Sequence, residues 1–167
     1  MCVPGQTVRP FSATELESAW SEWSGYSPIL GDVMLVLART GLRWSEARVV
    51  TVADAEADRL LVDKAASETG SLRRLSGCQV RVVPLALRVR PVVRRLVAGR
   101  DGEELLFTTS LGSPLERRAV LRRLNWTETG HGRRLNDLRQ TAAALWLAEG
   151  VAPSMVREWM GPTRLAG

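Results

Sequence analysis

The sequence predicts an α+β fold that is mostly α, with a small antiparallel β-sheet, and three observations carry that prediction. Apolar residues recur at helical spacing in several segments that begin and end on recognisable caps. One stretch, Gln79 to Pro84, alternates β-branched with polar residues, and a Leu-Leu-Val run near residues 59–64 offers it a partner. With 167 residues, 45% of them hydrophobic, the chain can bury the core of one ordinary domain.

Each element follows from local chemistry. Ser12 with Glu15 three residues later is a capping-box signature, and Leu16 and Trp20 share a face, so a helix is expected near 12–23. Gly25 and Pro28 interrupt it, and Ile29 to Arg39 reads as a mostly buried helix stopped at Thr40-Gly41. Ser45 to Val50 follows as a third, short helix. After the hairpin, whose Gly- and Ser-containing stretch Ser67 to Gly77 reads as loop, Pro91 suits the first turn of a helix ending near Ala98. Asp101-Gly102 is expected as a turn and Leu105 to Phe107 as a brief extended segment. Leu115 to Trp126 reads as a basic amphipathic helix. Asn136 to Glu149, with Leu138, Ala142, Leu145 and Trp146 inward and Gly150 at its end, is the clearest helix, and Pro153 to Met160 is the last.

Charge narrows the function. The net charge is +5 and the basic side is almost wholly arginine, because Lys64 is the only lysine. Between Ser71 and Arg100 there are eight arginines, Arg73, Arg74 and Arg81 among them, and no acid. A second cluster holds Arg117, Arg118, Arg122, Arg123, Arg133 and Arg134. Such asymmetry suits a polyanion, since guanidinium groups pair with phosphates in a bidentate way. An arginine-rich composition spread over ordinary solvated faces is the bland alternative.

Other chemistries find little support. Cys2 and Cys78 lack metal-ligand spacing and are expected as free thiols, so no metal and no cofactor are expected. His131 is the only histidine and is expected in a solvent-facing loop without a chemical role. No stretch approaches the ~20 apolar residues of a membrane span, and Met1 to Pro10 has no signal-peptide core. The expectation is a cytoplasmic protein with no membrane partner, residues 1–10 forming a tail and residues 11–167 the domain.

Five strings in fixed order carry a resemblance. They are Thr40-Gly41-Leu42-Arg43-Trp44-Ser45-Glu46, Val80-Arg81-Val82-Val83-Pro84-Leu85, Leu106-Phe107 with Gly112-Ser113-Pro114-Leu115, Asn136-Asp137-Leu138-Arg139-Gln140-Thr141-Ala142, and Gly150-Val151 with Val156 to Gly161. They resemble T-G-L-R-x-S-E, R-x-V-P-L, L-F…G-x-P-L, H-D-L-R-H-T-A and G-V…V-x-x-W-L-G-H of the catalytic domain of the tyrosine recombinases, the phage integrase family.

The resemblance implies a mostly helical domain with a three-stranded antiparallel sheet at one edge. It implies double-stranded DNA as partner, other recombinase protomers as candidate partners, and a reaction in which a tyrosine attacks a DNA phosphodiester. Arg43 and Arg139 match the arginines that hold the scissile phosphate, and Asn136 stands where the family has a histidine. Arg73, Arg74, Arg81, Arg122, Arg123, Arg133 and Arg134 are the candidate DNA contacts.

The departures concern proton transfer and the nucleophile. Ser76 is the best-fitting position for the family's hairpin lysine, and serine is a poor acid. Asn136 can hydrogen-bond a phosphate but cannot shuttle a proton. Pro162 stands where Gly-His is usual, and no tyrosine follows it. Tyr26, the only tyrosine, is expected as a partly buried structural residue. The chain is therefore expected as a relative of site-specific recombinases that does not transfer strands alone. A non-catalytic DNA-binding remnant, or the product of a decayed mobile-element gene, are the alternatives.

Overall fold

A computed structural model describes residues 9–162. Helix α1 (Ala13–Tyr26) starts on the expected capping box: Glu15 N donates to Ser12 Oγ at 3.1 Å, and Ser12 N donates to Glu15 Oε2 at 2.9 Å. Helix α2 (Pro28–Thr40) is buried almost all round from Leu30 to Thr40, as befits a helix that is apolar on every face. It lies between α1 and α7 (Asp137–Ala148) and forms the axis of the core. Trp23 stacks on Trp126 with ring centroids 5.5 Å apart, and Phe11 meets Trp23 edge-on at 5.8 Å, which ties the N-terminal segment to the same core.

The next helix, α3 (Trp44–Ala47), is shorter than expected. The chain leaves helical geometry there because Val50 must accept from Leu106 N at 2.8 Å and Thr51 must bridge to Leu105. The remaining helices are α4 (Arg90–Val97), α5 (Arg117–Arg123), α6 (Trp126–Thr129) and α8 (Pro153–Met160). The basic helix expected over 115–126 is cut at Arg123, since Asn125 takes a left-handed conformation with φ 50° and starts α6.

The sheet also departs from expectation. A three-stranded sheet is absent among the described residues; two two-stranded antiparallel ladders replace it. Strand β1 (Arg59–Val62) pairs with β4 (Arg81–Pro84), as anticipated, with Leu61 opposite Val82. Strand β2 (Lys64–Ala66) pairs with β3 (Leu72–Arg74), and of the two only β3 lies in the Gly- and Ser-containing stretch Ser67 to Gly77, where no strand was expected. The ladders are two halves of one long hairpin: Leu75 N still donates to Asp63 O at 2.8 Å, but residues 75–80 bulge out of the returning arm through a 3-10 turn at Gly77–Gln79.

Candidate phosphate-binding site

The site is built where α2, α7, α8 and the hairpin meet. Thr40 ends α2 and Gly41 follows it at φ 66°, a left-handed cap that glycine adopts without the Cβ penalty of other residues. That reversal carries the chain directly into Arg43 and α3. Glu46, one turn into α3, accepts from Arg43 N at 2.8 Å and from Arg43 Nη1 at 3.1 Å.

Glu46 is 2% exposed and is also gripped by Arg81, whose Nη1 and Nη2 donate to its two oxygens at 2.9 Å each. Burial pushes the Glu46 carboxyl up, but the Arg81 hydrogen bonds and the Arg81 and Arg43 charges outweigh it and hold the group below its usual range.

Three arginines converge on the end of α8. Arg81 Nε donates to Trp159 O at 2.7 Å, Arg139 Nη2 to Met160 O at 3.0 Å, and Arg43 Nη2 to Pro162 O. Carbonyls in the last turn of a helix lack intrahelical donors and carry partial negative charge, so they draw these cations together. Arg139 Nη1 also donates to Gly41 O, which joins α7 to the turn before Arg43. Burial, then the nearby Arg43, push the Arg139 guanidinium down to about 10, so it remains charged at neutral pH. The cluster of Arg43, Arg81 and Arg139 with Glu46 thus holds three positive charges and one negative.

The expected site residues divide accordingly. Arg43 and Arg139, 96 positions apart in the chain, share one cluster. Asn136 is exposed immediately before α7, three residues from Arg139 and hence on the same side of the helix. Arg73, Arg74, Arg122, Arg123 and Arg134 are exposed, although Arg74 pairs with Asp63 at 2.9 Å and Arg134 lies 3.6 Å from Asp137.

Two candidate contacts have buried side chains. Arg81 is 5% exposed and its guanidinium donates to both Glu46 oxygens and to Trp159 O, less open to solvent than Arg43 or Arg139. Arg133 lies over the Phe11 ring at 3.7 Å, and its Nε donates to Arg9 O at 2.6 Å. Its side chain is 7% exposed, which makes it a clamp on the N-terminal segment.

Other residues fall away from the cluster or next to it. Tyr26 is more exposed than anticipated, at 42%; its hydroxyl accepts from Asn125 Nδ2 at 3.2 Å, and it lines a separate apolar cleft against α5. His131 is exposed, as expected, with Nε2 3.1 Å from Glu22. Cys78 is an exposed free thiol, whereas Cys2 lies outside the described residues.

Beside Arg43 opens a cleft of about 670 Å³ between α3, the hairpin and the start of α5. Ser76 does not line it; Ser67 and Glu68, at the turn of the hairpin, do. Glu46 and Arg48 had no role assigned from sequence, and Arg117 stood only within the second basic cluster. For Glu46 a signal existed, since it ends the Thr40–Glu46 string and stands three residues after Arg43, where its carboxylate can reach back to the Arg43 N–H. Nothing local marked Arg48 or Arg117 apart from other arginines.

Among the described residues no group of His, Cys, Asp and Glu could hold a metal ion, and no helix is long and apolar enough to cross a membrane.

The chain superposes on the Tn1549 transposon integrase in complex with transposon right end DNA, with a TM-score of 0.79 and 20% identity over 98% of this chain and 61% of that one. XerA recombinase gives 0.67 at 15% identity, covering 95% and 57%, and lambda integrase bound to DNA gives 0.64 at 15% identity, covering 98% and 59%. The chain therefore has the fold of these integrases and spans about three fifths of their solved lengths. No curated protein matches it in sequence. A sequence model of the phage integrase family, however, matches residues 25–166, nearly the whole chain. The arginines drawn together around the end of α8 thus sit in a chain that belongs to the phage integrase family.

Proposed function

We propose that residues 11–167 act as the DNA-binding, catalytic-type domain of a site-specific recombinase, working on double-stranded DNA in the cytoplasm and alongside other recombinase protomers. The observation that carries this reading is the convergence of Arg43 and Arg139 within one cluster. Two planar forks there can share the oxygens of one backbone phosphate without losing charge at physiological pH. Asn136, on the side of α7 that bears Arg139, adds a neutral donor. The Tn1549 and lambda integrases, which share the fold, were solved on DNA, and that supports the same partner here.

On these residues the activity is binding without cleavage. Tyr26 is the only tyrosine, and it lines a cleft other than the one beside Arg43. The site holds no histidine, and the polar hairpin residues that line the cleft beside Arg43 are Ser67, Glu68, Arg73 and Gln79, none of them an efficient acid for a leaving oxygen at neutral pH, while Lys64 on β2 is paired with Asp54 and Asp63. Strand transfer would need a tyrosine from outside these 167 residues, for which a neighbouring protomer is one source.

Fluorescence anisotropy with a labelled duplex over a salt series tests the reading. The wild-type protein is expected to bind with a steep, linear fall of log affinity against log salt. Arg43→Ala and Arg139→Ala are each expected to weaken binding at least tenfold at low salt. Unchanged affinity in both would remove these residues from any phosphate site. On a nicked suicide duplex no covalent adduct is expected. A heat-stable protein-DNA adduct that Tyr26→Phe abolishes would overturn the claim that binding occurs without cleavage.

A further inference from the structure

Most arginines of this molecule are matched by an acid or a carbonyl. Arg39 pairs with Glu149, Arg59 with Asp58, Arg74 with Asp63, Arg88 with Glu17, Arg95 with Asp32 and Arg100 with Glu104. The cleft beside Arg43 is different. Arg48, Arg73 and Arg117 line it together with Arg43, and none of the first three makes an ion pair or a side-chain hydrogen bond among the described residues. They come from three separate parts of the chain: the turn after α3, strand β3, and the first position of α5.

Their placement is fixed by the fold. On β3, Arg73 and Arg74 point to opposite faces, so while Arg74 takes Asp63, Arg73 is left to the cleft. Arg48 runs beneath the hairpin turn: its Nη2 lies 3.8 Å from where a Cβ on Gly70 would stand. The Arg48 Nε is fully buried without a hydrogen-bond partner among the described residues, so its stem is fixed by packing against the hairpin turn.

Two carboxylates also line the cleft. Glu46 is already held by Arg81 and Arg43, whereas Glu68, exposed on the hairpin turn, makes no ion pair among the described residues. At about 670 Å³ the cleft is in the size range of ligand sites, roughly 300–1,000 Å³.

We propose that Arg48, Arg73 and Arg117 form a second phosphate subsite next to the Arg43–Arg139 pair, which takes backbone phosphates of the same duplex adjoining the one those arginines hold. Glu68 is a repulsive carboxylate at its rim that weakens occupancy. This inference rests on the reading of the chain as a binder of duplex DNA.

Counterion release makes the subsite countable. The slope of log affinity against log salt is about −0.9 per phosphate neutralised on B-form DNA. Arg73→Ala and Arg117→Ala, both at exposed positions and expected to melt like wild type by circular dichroism, should each make the slope shallower by about 0.9. Arg48→Met, which keeps the stem and removes the charge, should do the same. Arg88→Ala, at an arginine matched by Glu17, serves as the control and should leave the slope unchanged. Glu68→Gln should tighten binding on the order of fivefold at low salt.

The outcomes separate the subsite from the broader reading. If wild type binds with a steep slope and Arg43→Ala weakens it, yet Arg73→Ala and Arg117→Ala keep the wild-type slope, the subsite is wrong and the DNA-binding reading stands. If wild type shows no salt-dependent duplex binding, both fall.

Discussion

Glu46 and Arg81 form a bidentate pair, both nitrogen–oxygen distances 2.9 Å, with side chains 2% and 3% exposed and 35 positions apart in the chain. The pair connects α3 to β4, and through Arg43 on one side and Trp159 on the other it sets the whole arginine cluster. Removing one partner strands the other charge in the interior. We expect Glu46→Gln to destabilise the fold by about 3–5 kcal/mol, measured by urea unfolding. A loss near zero would show that Arg81 reaches solvent.

The same carboxylate predicts an acid limb. Its folded pKa lies below the ordinary 4.5, so the unfolded chain binds the proton more readily. Its stabilising contribution is therefore complete above about 4.5 and is lost as pH falls through the lower, folded value. Unfolding midpoints measured from pH 6 to pH 3 should fall less steeply in Glu46→Gln than in wild type.

On the proposed reading, lysine should not replace Arg43 or Arg139. Arg43→Lys and Arg139→Lys keep the charge but lose the planar fork that holds the Pro162 and Met160 carbonyls while leaving further N–H groups for a phosphate, as proposed. We expect duplex affinity to drop about tenfold or more in each, read by anisotropy at fixed salt. Wild-type affinity in the lysine variants would mean that charge alone suffices.

Gly41→Ala should damage stability and binding together. The left-handed backbone costs an L side chain roughly 1–2 kcal/mol, and the added Cβ would stand 2.9 Å from Met160 Sδ. Because Gly41 O accepts from Arg139, the strain is transmitted to the cluster. A thermal melt and a binding isotherm on the same sample check this, and wild-type behaviour in both would contradict it.

Binding should be flat in pH from about 6 to 9. Arg139, pushed down to about 10, remains protonated throughout that range, and the cluster contains no histidine. A transition inside that range would contradict the assignment of Arg139 to the binding site.

Much of this was legible in the sequence because its causes are short-range. The Ser12–Glu15 box, the stop at Gly41 and the alternation of β4 act over one to four residues, and the elements formed where expected. The five ordered strings were enough to suggest the family, and they include Arg43 and Arg139. Glu46 was written in the first of them, but its partnership with Arg81 could not be read there.

Only the tertiary structure decided what each arginine does. Composition supplies the charge but does not say whether that charge is matched. Arg81 and Arg133 looked like DNA contacts but pack onto Glu46 and Phe11, while Arg48, unremarkable in the sequence, and Arg117, there only one of a basic cluster, line the cleft beside Arg43. The difference arises because helix caps and strand alternation are set by neighbours along the chain, whereas burial and the choice of a charge's partner are set by which distant segments the core brings into contact.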